Sequence, residues 1–433
     1  MDARSVLRLL LVVISSTAAC QAAEPTILAA NGDLQWRRGN MHTHSHWSDG
    51  DDYLESIALW YRDRGYDFLV FTDHNVLATT ERWVRVDDSK GGQTAYNKLK
   101  QQFPDWIDER KEGDDLEVRL RRFDEVAQRF NKPGEFLLIQ GEEISDQALG
   151  KPVHLNVGNV KHLIEPQGGR DVFETIDNNV RAALAQRKET GQPMIVHLNH
   201  PNFGFAVTAE DLLRVRGERF FEVYNGHPDV ANQGDELHPG TERMWDIILA
   251  QRIATLGLPM MFGLAVDDGH EYHHIPSRRS EPGRGWVMVL SHKLTSGALI
   301  ESLEEGRFYA SSGVSIKRIE SDAKRLAIEV EPEAGESYTI EFVGTKKTTD
   351  LKGEPITDEE GEPLPVTHRY SDGIGEVLKK VSGASGEYTF KGDELYVRAR
   401  ITSSAAHPNP SDPGDAKTAW VQPVLGPAAP VER

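Results

Sequence analysis

The sequence predicts an α/β protein in which a helix-covered parallel sheet is followed by a small domain of antiparallel strands. Between residues 36 and 316, short β-like runs alternate with amphipathic stretches, as in a parallel sheet with helices on its faces. From about residue 316, alternating strands with turn-rich spacing are typical of a sandwich. A chain of 433 residues is too long for one ordinary core. With 38% hydrophobic and 27% charged residues, it is also too polar for a membrane protein. We therefore expect two domains, at residues 36–316 and 317–433.

The individual elements follow from the same patterns. Strands of the first domain are predicted at 39–42, 68–72, 136–140, 153–157, 194–198, 220–224, 260–266 and 286–290. Helices are predicted at 53–64, 116–130, 172–189, 241–256 and 296–305. The polar stretch 82–134 is interpreted as a helical insertion that forms a lid or rim over one end of the sheet. In the second domain, strands are predicted at 326–330, 338–342, 387–390 and 395–401.

Residues 1–23 have the pattern of an export signal. Arg4 and Arg8 precede an apolar run at 9–14, which is too short to span a bilayer, and small residues follow. Cys20, in Thr-Ala-Ala-Cys, resembles the lipid-attachment position of a bacterial lipoprotein. Cleavage after Ala22 or Ala23 is the alternative, and both stay open. We expect an exported protein that is periplasmic, secreted or attached to a membrane only through Cys20.

Charge and cysteine content limit the partners and the metal chemistry. The formal net charge of −19 disfavours nucleic acid and anionic lipid surfaces, which are held mainly by Lys and Arg. A small-molecule substrate is expected, because bound metal ions can attract a small anion locally. Cys20 is the only cysteine, so imidazole nitrogen and oxygen must supply any metal site of the mature protein. The oligomeric state cannot be inferred from these features.

A series of histidines and carboxylates carries the chemical information. Most of its members follow a predicted strand or lie within one, and α/β sheets place their active sites at the carboxyl ends of strands. The spacing therefore indicates one multi-metal site. The candidates are His42, His44, Asp49, Asp73, His74, Glu142, Glu143, His154, His197, His200, Asp267, Asp268 and His270.

Taken singly, these residues have ordinary structural explanations. His42 and His44 are two apart, so on a strand they face the same side and can reach one ion. In contrast, Asp73 could simply cap a turn, and His154 could be a hydrogen-bonded core residue. The adjacent Glu142 and Glu143 cannot both face the site from an extended backbone. These alternatives stay open on spacing alone.

Taken together, the motifs resemble the polymerase and histidinol phosphatase (PHP) superfamily of metal-dependent hydrolases over roughly residues 36–316. The family fold implies a distorted seven-stranded (β/α) barrel. The resemblance implies Glu143 over Glu142 by Gly-any-Glu, His200 over His197 by the following proline, and Asp268 over Asp267 by Asp-any-His. It implies one ion held by His42, His44 and Asp268, a second by Glu143, as a bridge, with His154 and His200, and a third by Asp49, His74 and His270.

Further segments resemble an exported branch of that superfamily named after carbaryl hydrolases, which cleave an aryl carbamate. The β-rich domain after the barrel also fits this branch. A branch name is a weak guide to substrate, because one fold hosts different chemistries. The segments are Arg38-Gly39-Asn40-Met41-His42, Thr72-Asp73-His74-Asn75, Glu222-Val223-Tyr224-Asn225-Gly226 and Gly283-Arg284-Gly285-Trp286.

The predicted function is an exported hydrolase that uses a metal-activated hydroxide at a trinuclear site, with phosphomono- or diesters as the favoured substrates. Zinc, manganese and iron all suit the ligands. Asp73 is expected to orient His42 or His74. His197 or His227 is expected to protonate the leaving group. Arg284 is the candidate for gripping an anionic substrate.

Two other functions are compatible with the sequence. A carbamate, ester or amide hydrolase would use the same ions against a carbonyl carbon. An aromatic wall formed by Trp47, Trp83 or Phe205 would favour this chemistry, whereas arginines near the ions would favour phosphate. The second alternative is a non-catalytic binding module stabilised by metal, although nine ligands across three ions leave coordination positions open for water.

Overall fold

The computed structural model describes residues 25–430 of the chain. The predicted export signal and Cys20 lie outside these residues, so export and lipid attachment stay predictions. Within residues 25–430, no helix combines the length and apolar character needed to cross a membrane.

The first part of the chain alternates strands and helices, and the last part is almost entirely β. The elements up to residue 311 are β1 (Thr26–Ala29), β2 (Gln35–Asn40), α1 (Leu54–Arg62), β3 (Phe68–Phe71), β4 (Arg82–Arg85), α2 (Gly92–Gln102), β5 (Glu109–Glu112), β6 (Asp115–Leu120), α3 (Phe123–Phe130), β7 (Leu137–Ala148), β8 (Lys151–Gly158), α4 (Val172–Thr190), β9 (Ile195–Leu198), α5 (Ala209–Leu212), β10 (Phe220–Asn225), α6 (Thr241–Gln251), a π-helical turn (Arg252–Leu256), β11 (Phe262–Val266), β12 (Trp286–Ser291), α7 (Ser296–Glu304) and β13 (Phe308–Ser311). The remaining strands are β14 (Ile316–Ser321), β15 (Arg325–Val330), β16 (Tyr338–Lys346), β17 (Glu376–Ser382), β18 (Ser385–Thr389), β19 (Glu394–Ala406) and β20 (Ala416–Leu425).

One sheet runs through most of the molecule, in the order β11-β10-β9-β8-β7-β3-β2-β12-β13-β20-β19-β16-β17. Its first seven strands pair in parallel, except that β8 is antiparallel to both neighbours. The prediction of a parallel sheet was therefore wrong at β12, which is antiparallel to β2 and β13, and at β8. At β8 the physical reason is a two-residue turn at Leu149 and Gly150, both with positive φ, which joins β7 and β8 as a hairpin.

The two ends of this seven-strand series approach each other. Beyond β2 and β11, Thr43 forms an isolated parallel bridge with Gly269, and His44 N donates to Gly269 O at 3.0 Å. Within residues 25–430, no continuous ladder joins β11 to β2. Apolar side chains of β3, β7, β9, β10, β11 and β12 share one core, to which α7 contributes. The carboxyl ends of the first and last strands of the series are therefore adjacent.

The insertion at 82–134 is a mixed α/β unit, which corrects the prediction that it is helical. Its strands form a small antiparallel sheet in the order β4-β6-β5, and α2 and α3 flank them. The predicted helix at 116–130 begins with strand β6, which pairs with both β4 and β5. The helix starts only at Phe123, where the Glu125 side chain accepts from the backbone N of Arg122 at 2.9 Å. Tertiary strand pairing thus overrides the helical pattern of residues 116–120.

The C-terminal region consists of two packed sheets and is continuous with the preceding part of the chain. A second sheet, β1-β14-β15-β18, packs on the last strands of the large sheet through a common apolar core. Strand β13 pairs with both β12 and β20, so backbone hydrogen bonds continue from one region into the other. The N-terminal strand β1 belongs to the sandwich, through its pairing with β14.

Candidate metal centre

All nine residues that the resemblance implies as ligands lie at one end of the seven-strand series. Most of them follow a strand end, but Glu143 lies within β7 and His154 within β8. Because β8 is antiparallel, His154 near its start lies at the same end as the carboxyl ends of the neighbouring strands. The cluster contains four overlapping groups in which each residue has one potential ligand atom within 4.8 Å of those of the other members. These groups are His44, Asp49, His74 and His270; His42, His200 and Asp268; His42, His44 and Glu143; and His74, Glu143 and His154.

Four side chains meet at the buried centre of this cluster. The Nε2 atoms of His42 and His44 are each 3.2 Å from Oδ1 of Asp268. The same two nitrogens lie 3.3 and 3.2 Å from Oε2 of Glu143. The three residues implied for a first ion are therefore direct neighbours, and Glu143 faces them.

The other oxygen of Glu143 faces the residues implied for a second ion. Its Oε1 atom lies 3.0 Å from Nδ1 of His154 and 3.4 Å from Nε2 of His200. Asn199 Nδ2 also donates to this oxygen at 2.8 Å. Glu143 thus lies between two groups of imidazoles, which is the position a bridging carboxylate needs.

The residues implied for a third ion form the open side of the cluster. Oδ1 of Asp49 is 3.5 Å from Nε2 of His74 and 3.4 Å from Nε2 of His270. The side chain of Asp49 is 53% exposed and that of His74 is 29% exposed, whereas Glu143 is fully buried. Solvent therefore reaches the cluster from the side of Asp49 and His74.

Buried carboxylates and imidazoles shift one another's pKa in opposite directions. Burial alone would raise the pKa of Glu143, but the surrounding imidazoles, led by His74, hold it well below its usual value. Asp268 behaves in the same way, with His42 the main cause of its lowered pKa. Burial alone would lower the pKa of His74, but Glu143 raises it to about 9. The cluster therefore holds ionised carboxylates that require positive charge close by.

Several buried atoms at the centre have no partner of their own. His42 Nε2, both nitrogens of His44 and Glu143 Oε2 form no hydrogen bond with the described residues. Within residues 25–430, no lysine or arginine forms an ion pair with Glu143 or Asp268. Donors about 2.0–2.2 Å from one ion stand roughly 3.0–3.5 Å from each other, as these atoms do. The residues therefore fit divalent metal ions.

Glu222 is a residue of this site to which the sequence interpretation assigned no role. It is fully buried in β10, and its Oε1 lies 2.7 Å from Nδ1 of His42. Its Oε2 accepts from the backbone N of His200 and from Asn225 Nδ2, both at 2.7 Å. A carboxylate on Nδ1 keeps the proton there and leaves Nε2 of His42 free for the centre. The available signal was a lone acid inside the apolar run of residues 220–224.

Two of the predicted catalytic residues have supporting positions instead. Asp73 accepts hydrogen bonds from Ser45 and Ser48, at distances from 2.7 to 3.2 Å, and so holds the His44–Asp49 turn rather than orienting His42 or His74. His197 is 1% exposed, and its Nε2 lies 3.3 Å from Glu222. Because His197 is buried behind Glu222, the expectation that it protonates a leaving group is corrected.

Arg284 does not face the cluster, which corrects the expectation that it grips the substrate. Its side chain has no exposed surface, and Nη2 donates to Glu281 at 3.0 Å. Nη1 donates to the carbonyl oxygen of Gly226 at 2.8 Å, and the backbone N donates to Asp267. Arg284 therefore ties three loops together through its backbone and side chain, and its guanidinium is not accessible to a substrate.

His227 is the remaining proton-donor candidate, and it lies on the accessible side. Its ring centroid is 5.6 Å from that of His270 and 6.0 Å from that of Phe203. The loop is anchored through Asn225, whose Oδ1 accepts from His227 N and whose Nδ2 donates to Asp268. His227 Nδ1 accepts from the backbone N of Asp229, so the ring proton is on Nε2.

Comparisons with known proteins give only distant likenesses. No family model matches the chain, and no curated protein matches it. A two-domain protein containing a predicted PHP-like metal-dependent phosphoesterase, from Bacteroides vulgatus ATCC 8482, is similar over 90% of this chain and 96% of its own, at 14% identity and a TM-score of 0.39. PsfC from Pseudomonas syringae PB-5123 is similar over 59% of this chain and 82% of its own, at 15% identity and a TM-score of 0.29.

A third similar structure is a candidate metal-dependent phosphoesterase from Bifidobacterium adolescentis ATCC 15703. It covers 61% of this chain and 95% of its own, at 13% identity and a TM-score of 0.28. One of these three names mentions a PHP-like enzyme, and two mention a metal-dependent phosphoesterase. TM-scores this low carry no argument about fold or activity, so the proposals below rest on the side chains of the cluster.

Proposed function

We propose that the protein is a metal-dependent phosphoesterase of the PHP superfamily. The observation that carries the proposal is the convergence of nine histidine and carboxylate side chains, several with buried atoms that form no hydrogen bond with the described residues. We assign His42, His44 and Asp268 to one ion, Glu143 with His154 and His200 to a second, and Asp49, His74 and His270 to a third. When bound, divalent ions would activate water for attack and stabilise negative charge on the phosphoryl group.

We also infer that the seven strands from β2 to β11 form the distorted barrel implied by the resemblance. The Thr43–Gly269 bridge and the shared apolar core support this closure. A closed arrangement would place the ligands of β2 and β11 beside each other without requiring a continuous ladder. The chain's own carboxylates then fix the imidazoles, since Glu222 holds the Nδ1 proton of His42.

Phosphoesters are favoured because the aromatic residues considered for an aryl site have other positions. Trp47 is 2% exposed and donates its Nε1 proton to Arg121 O at 3.1 Å. Phe205 stacks on His238, with ring centroids 3.9 Å apart, and Trp83 packs against Arg110. These side chains form no common wall at the cluster. A carbonyl substrate would still be compatible with the metal ligands, and the experiment below separates the two classes.

We assign His227 as the donor of a proton to the leaving oxygen, since its Nε2 has no hydrogen-bond partner within residues 25–430 and the ring adjoins His270. His227→Ala should lower turnover of phenyl phosphate by about 100-fold, in the range of general-acid effects. It should have little effect on 2,4-dinitrophenyl phosphate, whose leaving group needs no proton. His238→Ala, which changes a half-buried histidine paired with Asp235, is the control. Equal losses on both substrates would contradict the assignment.

The function is tested by p-nitrophenol release from four esters: the phosphate, the bis-phosphate diester, the acetate and the N-methylcarbamate. The protein is loaded with Mn²⁺ or Zn²⁺ and compared with a chelated sample. Chelator-sensitive cleavage of either phosphate is expected. Cleavage of the carbonyl esters alone would replace the proposal with a carbamate or ester hydrolase, and no metal-dependent cleavage in a fully loaded protein would indicate a binding module.

A further inference from the structure

A cavity adjoins the metal cluster on its open side. It has a volume of about 360 Å³ and lies between the loop at residues 46–50 and the first part of the insertion. Asp49 lines this cavity and also approaches His74 and His270 in the cluster. The opposite wall contains the basic residues Arg82, Arg85 and Lys90. A molecule bound at the cluster can therefore extend past Asp49 toward three cations. We call this space the basic cavity.

The basic wall is fixed to the metal-binding loop by specific contacts. Arg82 Nη1 donates to the carbonyl oxygen of Trp47 at 2.6 Å. Gly91, directly after Lys90, packs so closely that a Cβ there would overlap the backbone oxygen of Asp51. Only glycine allows this approach of the two backbones. The insertion thus holds Lys90 beside the loop that carries Asp49.

The cations of this cavity are incompletely neutralised by the protein. Within residues 25–430, neither Arg82 nor Lys90 forms an ion pair, and Arg85 has only long contacts of 3.4 to 3.9 Å with acids. The acids near these cations are Asp49 and Asp88, which line the cavity, and Asp115 and Glu117, which approach Arg85. In a chain of net charge −19, Arg82 and Lys90 stand beside the metal cluster without an acidic partner in the described part of the chain and are available for an anion.

We infer that the basic cavity binds a second phosphate group of the substrate, carried on the same small molecule as the phosphoester that is cleaved. Guanidinium and ammonium groups together are the usual protein partners of phosphate. The inference rests on the proposed phosphoesterase function for the scissile group. It adds that bisphosphates are preferred over monophosphates of the same alcohol.

The preference is tested with α,ω-alkanediol bisphosphates of two to six carbons, each compared with the corresponding hydroxyalkyl monophosphate. For at least one chain length, KM of the bisphosphate should be about tenfold lower or more, the effect of one or two charge-assisted hydrogen bonds. The double variant Arg85→Gln, Lys90→Gln should remove most of this preference. Arg82 is left intact because it holds Trp47.

The control is Lys111→Gln, Lys132→Gln, which removes the same charge from exposed positions of the same insertion. It should keep the bisphosphate preference of the native protein. Equal KM values for bisphosphates and monophosphates at every chain length would overturn the inference. A preference that survives the Arg85 and Lys90 changes would overturn it as well.

Direct binding separates this inference from the proposed function. Calorimetric titration with α,ω-alkane bisphosphonates, compared with alkylphosphonates, requires no turnover. Tighter binding of a bisphosphonate that depends on Arg85 and Lys90 would support the basic cavity even if no phosphoester were cleaved. Cleavage of monophosphates without any selective bisphosphonate binding would support the phosphoesterase and refute the cavity.

Discussion

Two buried groups of charged side chains in this protein are neutralised in opposite ways. Where α6 meets the C-terminal strands, Arg398 is 2% exposed and grips both oxygens of Asp246, at 2.9 and 2.7 Å. A second acid, Glu242, accepts from the same guanidinium at 3.1 Å. In the metal cluster, Glu143 is equally buried but faces only imidazoles and an amide.

The difference shows which buried charges the chain neutralises by itself. A buried carboxylate is stable only if it is paired and hydrogen-bonded. At Asp246 the partner is part of the sequence, so the pair contributes to the fold alone. At Glu143 and Asp268 the remaining positive charge must come from solvent, either as protons on histidines or as metal ions. The second arrangement is the one that can exchange ligands and carry chemistry.

The largest expected effect comes from removing the charge that faces both imidazole groups. Glu143→Gln should lower phosphatase turnover by more than about 1000-fold, beyond the 10–100-fold typical of changes one shell further out. Circular dichroism should show an unchanged fold. The control is Glu142→Gln: this neighbour accepts from Ile164 N, and burial raises its pKa to about 8. Near-native activity of Glu143→Gln would show that Glu143 does not bridge two ions as proposed.

A change in the Arg398–Asp246 pair should alter the stability of the protein and leave metal binding and catalysis unchanged. Asp246→Asn leaves Arg398 buried with half of its partners, which should lower the free energy of unfolding by about 3–5 kcal/mol. Denaturant unfolding measures this change. Metal content and kcat/KM at moderate temperature should match those of the native protein. If the variant loses metal as well, the two regions are not independent.

A third buried acid, Glu55 in α1, sharpens the comparison because, within residues 25–430, it is neither paired with an arginine nor part of the metal cluster. Burial raises its pKa to about 7, and its Oε2 has no hydrogen-bond partner in the described residues. Because the pKa of Glu55 is higher in the folded protein than in the unfolded chain, the protonated carboxyl group stabilises the fold below about pH 4.5. This contribution to stability is lost as the pH rises toward 7. Relative to Glu55→Gln, native stability should fall across this window by on the order of 3 kcal/mol. If the stability of the native protein and of Glu55→Gln changed in parallel with pH, the raised pKa of Glu55 would be excluded.

The smallest of these effects is expected behind the cluster. Glu222→Gln keeps the shape of the residue but weakens its hold on the Nδ1 proton of His42. Metal affinity should fall by about 10–100-fold, the range for groups that orient a ligand. Competition with a fluorescent chelator measures it. A value within twofold of the native affinity would show that His42 is oriented without this charge.

Much of the fold follows from the sequence, but strand direction does not. The predicted apolar runs at 68–72, 194–198 and 220–224 match β3, β9 and β10 within one residue at either end. Periodicity identifies a strand without showing which way it runs, and the turn at Leu149 and Gly150 reverses β8. At residues 116–120 the pattern suited a helix, whereas pairing on both sides made a strand.

For the site, the types of side chain and their order in the sequence predicted the ligands, whereas the burial of side chains could not be predicted. The nine implied ligands come together because each is placed by a strand end or a strand interior at the same end of the sheet. Arg284 and His197 are buried against groups distant in sequence, such as Gly226 and Glu222, and a single chain carries no signal for that packing. The basic cavity was missed for the same reason, since it depends on how the insertion rests on the loop of Asp49.

The central claim is that the cluster binds divalent ions in place of an internal cation, and elemental analysis of dialysed protein tests it most directly. After chelation, reloading with Mn²⁺ or Zn²⁺ and extensive dialysis, the metal content per chain is measured by inductively coupled plasma mass spectrometry. The account predicts two to three ions per chain, up to the three that the proposed ligand assignment would hold, and a lower content in Glu143→Gln. Less than one ion per folded native chain would contradict it.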